Sequence, residues 1–315
     1  MYSLYSESNS CQVRYDLPGT IFRRFPLSHK KRRFLKKPNV AEACESFSSL
    51  AKQCESLELP VYAGLCWIAA ARCEGSLLNN TGETSCLIHS ARQLMKAEEI
   101  DREICCETVY GEYLQAGLSS CAHAASRLSK NCILPLCLDL EIIDFLKRIN
   151  KPEYIESFAE DAVELSVEHC GSRIYALELM ASHFIKTGDY LAALETFFEI
   201  SKLLEKCVPN GFRSEILLKC EINSIFLLLI LRPNPQKLAP HLTRILEKYT
   251  WGDTNDESLK ACRMTSEIFY LLCSLVTICQ SLDTSSLVDL ESDFWKVLSK
   301  EQKELLRILL RIYEV

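Results

Sequence analysis

A chain of 315 residues with 48% apolar side chains can bury a continuous core, which excludes disorder as its default state. Ten Gly and ten Pro are sparse punctuation for a protein of many hairpins, so long helices joined by short turns are expected and strands are not. The formal charge of −6 hides an asymmetry: residues 1–37 carry nine Lys/Arg against two Asp/Glu, leaving −13 on the rest, a balance that opposes binding of phosphate backbones by the main body.

Residues 1–28 mix Ser, Tyr, Arg, Pro18, Gly19 and Pro26 without sustained periodicity, and an irregular leader that orders only on a partner is expected there. Within the basic arm 1–37, Arg23, Arg24, Lys30, Lys31, Arg32, Arg33, Lys36 and Lys37 surround Phe22, Phe25, Phe34 and Leu35. Such a segment can be a nuclear import signal, a weak contact for nucleic acid or anionic lipid, a docking segment for an acidic protein groove, or a plain solvated tail. The interleaved Phe and Leu favour docking, because burying them adds hydrophobic energy to electrostatic steering.

From Pro38 the spacing becomes helical, with Ala41, Cys44, Phe47, Ala51 and Cys54 on one stripe as far as Leu59-Pro60. A second helix over 61–75 follows so closely that an antiparallel hairpin is implied. Helices at 83–98 and 108–129 are separated by an acidic linker around Asp101, and Pro135 and Pro152 open helices at 135–149 and 152–169. Pairs continue as 172–186 with 189–206, then helices at 213–231, 236–249, 257–281, 284–297 and 300–313. First helices recur at a spacing of about forty residues, the period of a stack in which each pair buries its apolar face only against its neighbours. The fold expected is therefore all-α: a tetratricopeptide-like α-solenoid of antiparallel helix pairs over 38–315, preceded by the arm 1–37.

The sharpest repeat unit is 186–197. Gly188 can close the first helix at positive φ, Tyr190 is placed in the wedge between helices, and Ala181 and Ala193 permit close approach. Leu177, Phe184 and Phe197 occupy the large apolar positions.

Chemistry is sparse along the chain. No Gly-rich phosphate loop, zincin His pair or Gly-x-Ser-x-Gly elbow occurs, so no catalytic residue and no cofactor is assigned. Cys86/His89 and Cys121/His123 lie close without a full ligand set, and no metal is expected. Cys105-Cys106 lacks an evident activating cation. Pairs such as Glu98-Glu99 and Glu160-Asp161 read as solvated helix faces. The N-terminus shows no basic segment followed by an apolar stretch and a small-residue cleavage site. The seventeen cysteines are therefore expected as reduced core thiols of a cytosolic protein. The apolar runs Ile225 to Leu231 and Ile268 to Leu272 fall well short of the roughly twenty residues that span a bilayer.

Several segments carry a collinear resemblance. Arg33 to Ala43, Tyr110 to Ala116, Cys220-Glu221 with Leu227 to Leu231, Pro233, Lys237-Leu238 and Pro240, and above all Leu246 to Trp251, resemble the family of forty-kilodalton huntingtin-associated proteins, also called factor VIII intron proteins. Trp295, Leu298 and Glu301-Gln302 continue the likeness toward the C-terminus. The family carries a long Pro-rich insertion before the Cys220 helix, where this chain has only Val208-Pro209-Asn210-Gly211. The resemblance implies a solenoid clamped between the helical-repeat domains of huntingtin and stabilising it. It also implies links to early endosomes, their small-GTPase machinery and vesicle movement, with a cytoplasmic and nuclear distribution.

Arg32, Arg33, Phe34, Lys36, Lys37, Tyr249, Trp251 and Trp295 are the candidate contact residues, since aromatic and Arg side chains dominate many interfaces. The alternative is a tetratricopeptide adaptor for short peptides or vesicle-fusion proteins, resembling the soluble attachment proteins, which would show a groove lined with Lys and Asn.

Overall fold

The computed structural model describes residues 39–106, 110–129, 132–208, 210–233, 239–252 and 257–313. The expectations for Arg32, Arg33, Phe34, Lys36 and Lys37 lie outside the described residues. Among the described residues every regular element is helical.

Asn39 opens the first helix by accepting the Glu42 N–H at 3.3 Å, and α1 runs Val40–Ser56. Next come α2 (Pro60–Ser76), with Pro60 in its first turn where no N–H is needed, and α3 (Asn80–Glu103), capped by Asn79. The acidic stretch expected as a linker is the end of α3: Arg102 donates to Glu98 at 3.1 Å and to the Ile149 carbonyl at 3.0 Å, so the helix extends past 98. Then follow α4 (Glu112–Ser126), α5 (Leu134–Arg148), a 3-10 turn at Pro152–Tyr154 and α6 (Ile155–Leu165).

The pair α7 (Cys170–Thr187) and α8 (Tyr190–Glu205) turns on Gly188. That glycine sits at φ 85°, and Asp189 caps α8 through the Ala192 N–H at 3.0 Å. Ala181, Leu177 and Ala193 are wholly buried and Tyr190 packs partly buried against the same core, as the repeat unit at 186–197 predicts. The remainder is α9 (Gly211–Leu231), α10 (Pro240–Trp251), α11 (Glu257–Ala261), α12 (Ser266–Ser281), α13 (Thr284–Phe294) and α14 (Lys300–Tyr313). The single helix expected over 257–281 is broken. Arg263 takes φ 52°, and Thr265 starts α12 by accepting the Ile268 N–H at 3.3 Å.

From α1 to α9 each helix packs on the next, as stacked helix pairs require. Small residues set the spacing at the N-terminal end: Ala51, Ala63, Ala70 and Ala71 are fully enclosed. A Cβ on Gly64 would lie 2.9 Å from Leu94 Cγ, and the Gly64 carbonyl accepts from Ser90 Oγ at 2.9 Å. Trp67 fills the remaining volume and donates its indole N–H to Glu55 at 2.6 Å.

The C-terminal third closes on itself. Helix α9 is buried from Ile222 through Ile230, and α8, α10, α12 and α14 all pack on it. A helix buried along this whole stretch must be covered on every side, and α14 packs back on α9 to supply part of that cover. Phe226 meets Phe294 edge to face at 5.9 Å inside this core, and each such side chain contributes about 1.5–3 kcal/mol of burial.

Candidate interaction surface

The segment Leu246 to Trp251 forms the end of α10, and its two aromatics point in different directions. Tyr249 is 1% exposed, and its ring lies 5.5 Å from Phe269. Its hydroxyl donates to Glu221 Oε1 at 3.0 Å, and Lys248 Nζ donates to the same oxygen at 2.6 Å. Burial first, and the Glu221 carboxylate second, push the phenol far above its ordinary range, so it stays a neutral donor. Tyr249 is therefore a core residue that fastens α10 to α9, its ring enclosed by its own chain.

Trp251, two positions on, is 87% exposed. A Cβ on the following Gly252 would collide with the Lys248 carbonyl, so glycine is what lets the chain leave the helix beside this indole.

Trp295 follows α13 and is 38% exposed. The Lys303 ammonium lies 4.9 Å and the Arg307 guanidinium 4.8 Å from its ring centre, so α14 holds the indole by cation–π attraction while part of its face stays open. Sequence reasoning missed further exposed apolar side chains at helix ends: Leu78 is 87% exposed, Val208 78%, and Phe212 and Ile104 more than half. Their signal was legible. A large apolar residue in a turn, such as Leu77-Leu78 before Asn79, has no core to join.

A groove of about 630 Å³ opens between α7, α9, α12 and α14, with Phe212, Ile268, Val297, Glu178, Lys219 and Glu301 among its lining. Lys219 Nζ donates to Glu178 at 3.1 Å and pairs with Glu301 at 3.5 Å, and Ser182 Oγ donates to Glu301 at 2.8 Å. Burial would raise the Glu301 carboxyl, but the Ser182 bond and the Lys219 charge outweigh it and hold the group low. Lys219 balances the same way, raised on net by its two carboxylates against the opposing effect of burial. The cation expected of a peptide-binding groove is here spent on two internal carboxylates.

The Cys and His near-pairs serve packing. Burial, and then Glu74, pushes the Cys86 thiol up to about 11, while His89 stacks on Trp67 at 4.9 Å. His123 lies 3.5 Å from Glu83. Among the described residues no group of three or more His, Cys, Asp or Glu could hold a metal ion, and no helix is long and apolar enough to cross a membrane. Eight of the sixteen described cysteines are buried, four are partly buried and four exposed, so the expectation of core thiols holds for half of them.

No family model matches the chain. It is 29% identical, over 342 aligned positions covering 89% of each protein, to the 40-kDa huntingtin-associated proteins of the rat and the mouse. The aligned stretch is longer than the 315 residues of this chain, so the relatives carry residues with no counterpart here. The likeness read from residues 33–43, 110–116, 220–251 and 295–302 thus extends along most of the sequence. Along most of its length the chain is thus similar to the 40-kDa huntingtin-associated proteins.

Proposed function

We propose that this protein is a non-enzymatic subunit that binds and stabilises huntingtin, built as a tetratricopeptide-like solenoid over 38–315 with the basic arm 1–37 as an added docking segment. The observation that carries this reading is the 29% identity over 89% of the chain to proteins named for their association with huntingtin. The surface agrees with it. Trp251, Leu78, Val208 and Phe212 expose apolar area at separate helix ends, which is unfavourable in water and is removed when a large partner covers several sites at once. A role in endosome and vesicle traffic, with early-endosomal and nuclear pools in addition to the cytoplasm and contact with small-GTPase machinery, belongs to the same proposal and rests on the family resemblance alone.

The test is co-purification of the full chain with the huntingtin of the same organism. A stoichiometric complex that survives size-exclusion chromatography is expected. Recovery of huntingtin free of this chain, when both are co-expressed, refutes the reading.

A further inference from the structure

Cys170 and Cys207 stand apart from the other cysteines. Cys170 is the first residue of α7 and is exposed; Cys207 lies just past the end of α8 and is partly buried. Because the two helices run antiparallel, the start of one meets the end of the other, and the two sulfurs are 3.0 Å apart. That is only about 1 Å more than an S–S bond of ~2.05 Å.

The surroundings hold both residues in place. Arg173, one turn into α7, reaches Glu199 of α8 at 2.9 Å and ties the helices together beside the thiols. Arg213, at the start of α9, donates to the Cys207 carbonyl at 3.2 Å and holds the turn that carries it. The Cys207 neighbour first, and burial second, hold the Cys170 thiol above its ordinary range against a smaller opposing pull from Arg173. The buried thiols differ: Cys66, Cys121 and Cys220 are pushed up to about 12, chiefly by burial, and are sealed from solvent oxidants.

We infer that Cys170 and Cys207 form a reversible disulfide that staples the α7–α8 hairpin when the protein meets a peroxide or an oxidised thiol. With hydrogen peroxide, one thiolate attacks a peroxide oxygen, the O–O bond breaks, and a sulfenic acid forms with release of hydroxide, which takes up the proton the thiol lost and leaves as water. The second thiol displaces the sulfenic hydroxyl as water. Two thiols have lost two electrons and two protons, and one peroxide has become two waters. With a disulfide oxidant such as oxidised glutathione, two exchange steps give the same bond and two reduced thiols. In a reducing compartment such a bond is a transient redox response, and it fixes the α8–α9 turn from which Val208 and Phe212 project.

The experiment uses the full chain, reduced, desalted, treated with stoichiometric hydrogen peroxide, blocked with an alkylating agent and digested without reductant. The expected product joins the peptides of Cys170 and Cys207, and it disappears on reduction. Recovery of these two residues as alkylated thiols, or joined to other cysteines, overturns the inference. Oxidation is also expected to raise Tm by several degrees, on the order of 5 °C, because the bond closes a long loop in the unfolded chain. The rise is expected to vanish in Cys170→Ser and in Cys207→Ser and to persist in Cys105→Ser/Cys106→Ser. A wild-type Tm unchanged by oxidation, or a rise that survives in Cys170→Ser, overturns the staple.

Discussion

Burial, and after it the negative charge of Asp161, pushes the carboxyl of Asp139 on α5 up to about 7. An Asp in an unfolded chain ionises near ~3.9, so between roughly pH 4 and pH 7 the folded state keeps a proton that the unfolded state has released. That contribution to stability is fully present below the lower value and is lost as pH rises through the upper one. His183 acts in the opposite sense: burial lowers its pKa, aided by Lys147 and Lys186 against Glu156, so its contribution is lost as pH falls below its unfolded value. The two are separable by mutation. Asp139→Asn is expected to flatten the decline of Tm between about pH 4 and 7 and to raise Tm at pH 8, read by circular dichroism against wild type. A lower Tm for the variant at pH 8 would contradict the burial argument. None of this was legible in the sequence, where Asp139 is one carboxylate among 42 acidic residues and only packing sets it apart.

At the scale of elements, α10 separates support from display. Tyr249→Ala removes a buried ring and leaves Glu221 without its phenol donor, a loss of about 3–5 kcal/mol by comparison with other large aromatic truncations. Trp251→Ala removes a ring that the rest of the chain barely covers, and the change in unfolding free energy is expected to stay within about 0.5 kcal/mol. If Trp251 docks on huntingtin, the same variant weakens association by about 1 kcal/mol or more. Denaturant unfolding and a binding titration of both variants decide the matter, and a large stability loss in Trp251→Ala would show that it is core. Helix existence was legible from periodicity nearly throughout, and Gly188 was legible as a turn because its chemistry is local. The facing of Tyr249 was not, since a six-residue match carries no information about which side of the helix its neighbours cover.

For the whole molecule, nine basic residues within 1–37 stand against a net −13 on the remainder. Deleting 1–37 is expected to weaken partner association more at 50 mM than at 500 mM salt, because exposed charges more than a Debye length apart, about 10 Å at 0.1 M, are screened. A loss independent of salt would assign the contact to Phe22, Phe25 and Phe34. By itself the sequence determined the helical class, the pairing of neighbours through α8, the Gly188 turn and the likeness to the 40-kDa huntingtin-associated proteins, since each depends on local spacing or on residues compared one by one. Only the tertiary structure decided that α14 folds back onto α9, that Lys219 is spent on Glu178 and Glu301, and that Cys170 meets Cys207. Those contacts join residues far apart in the chain, and a periodic pattern states that an apolar face must be covered without stating by what.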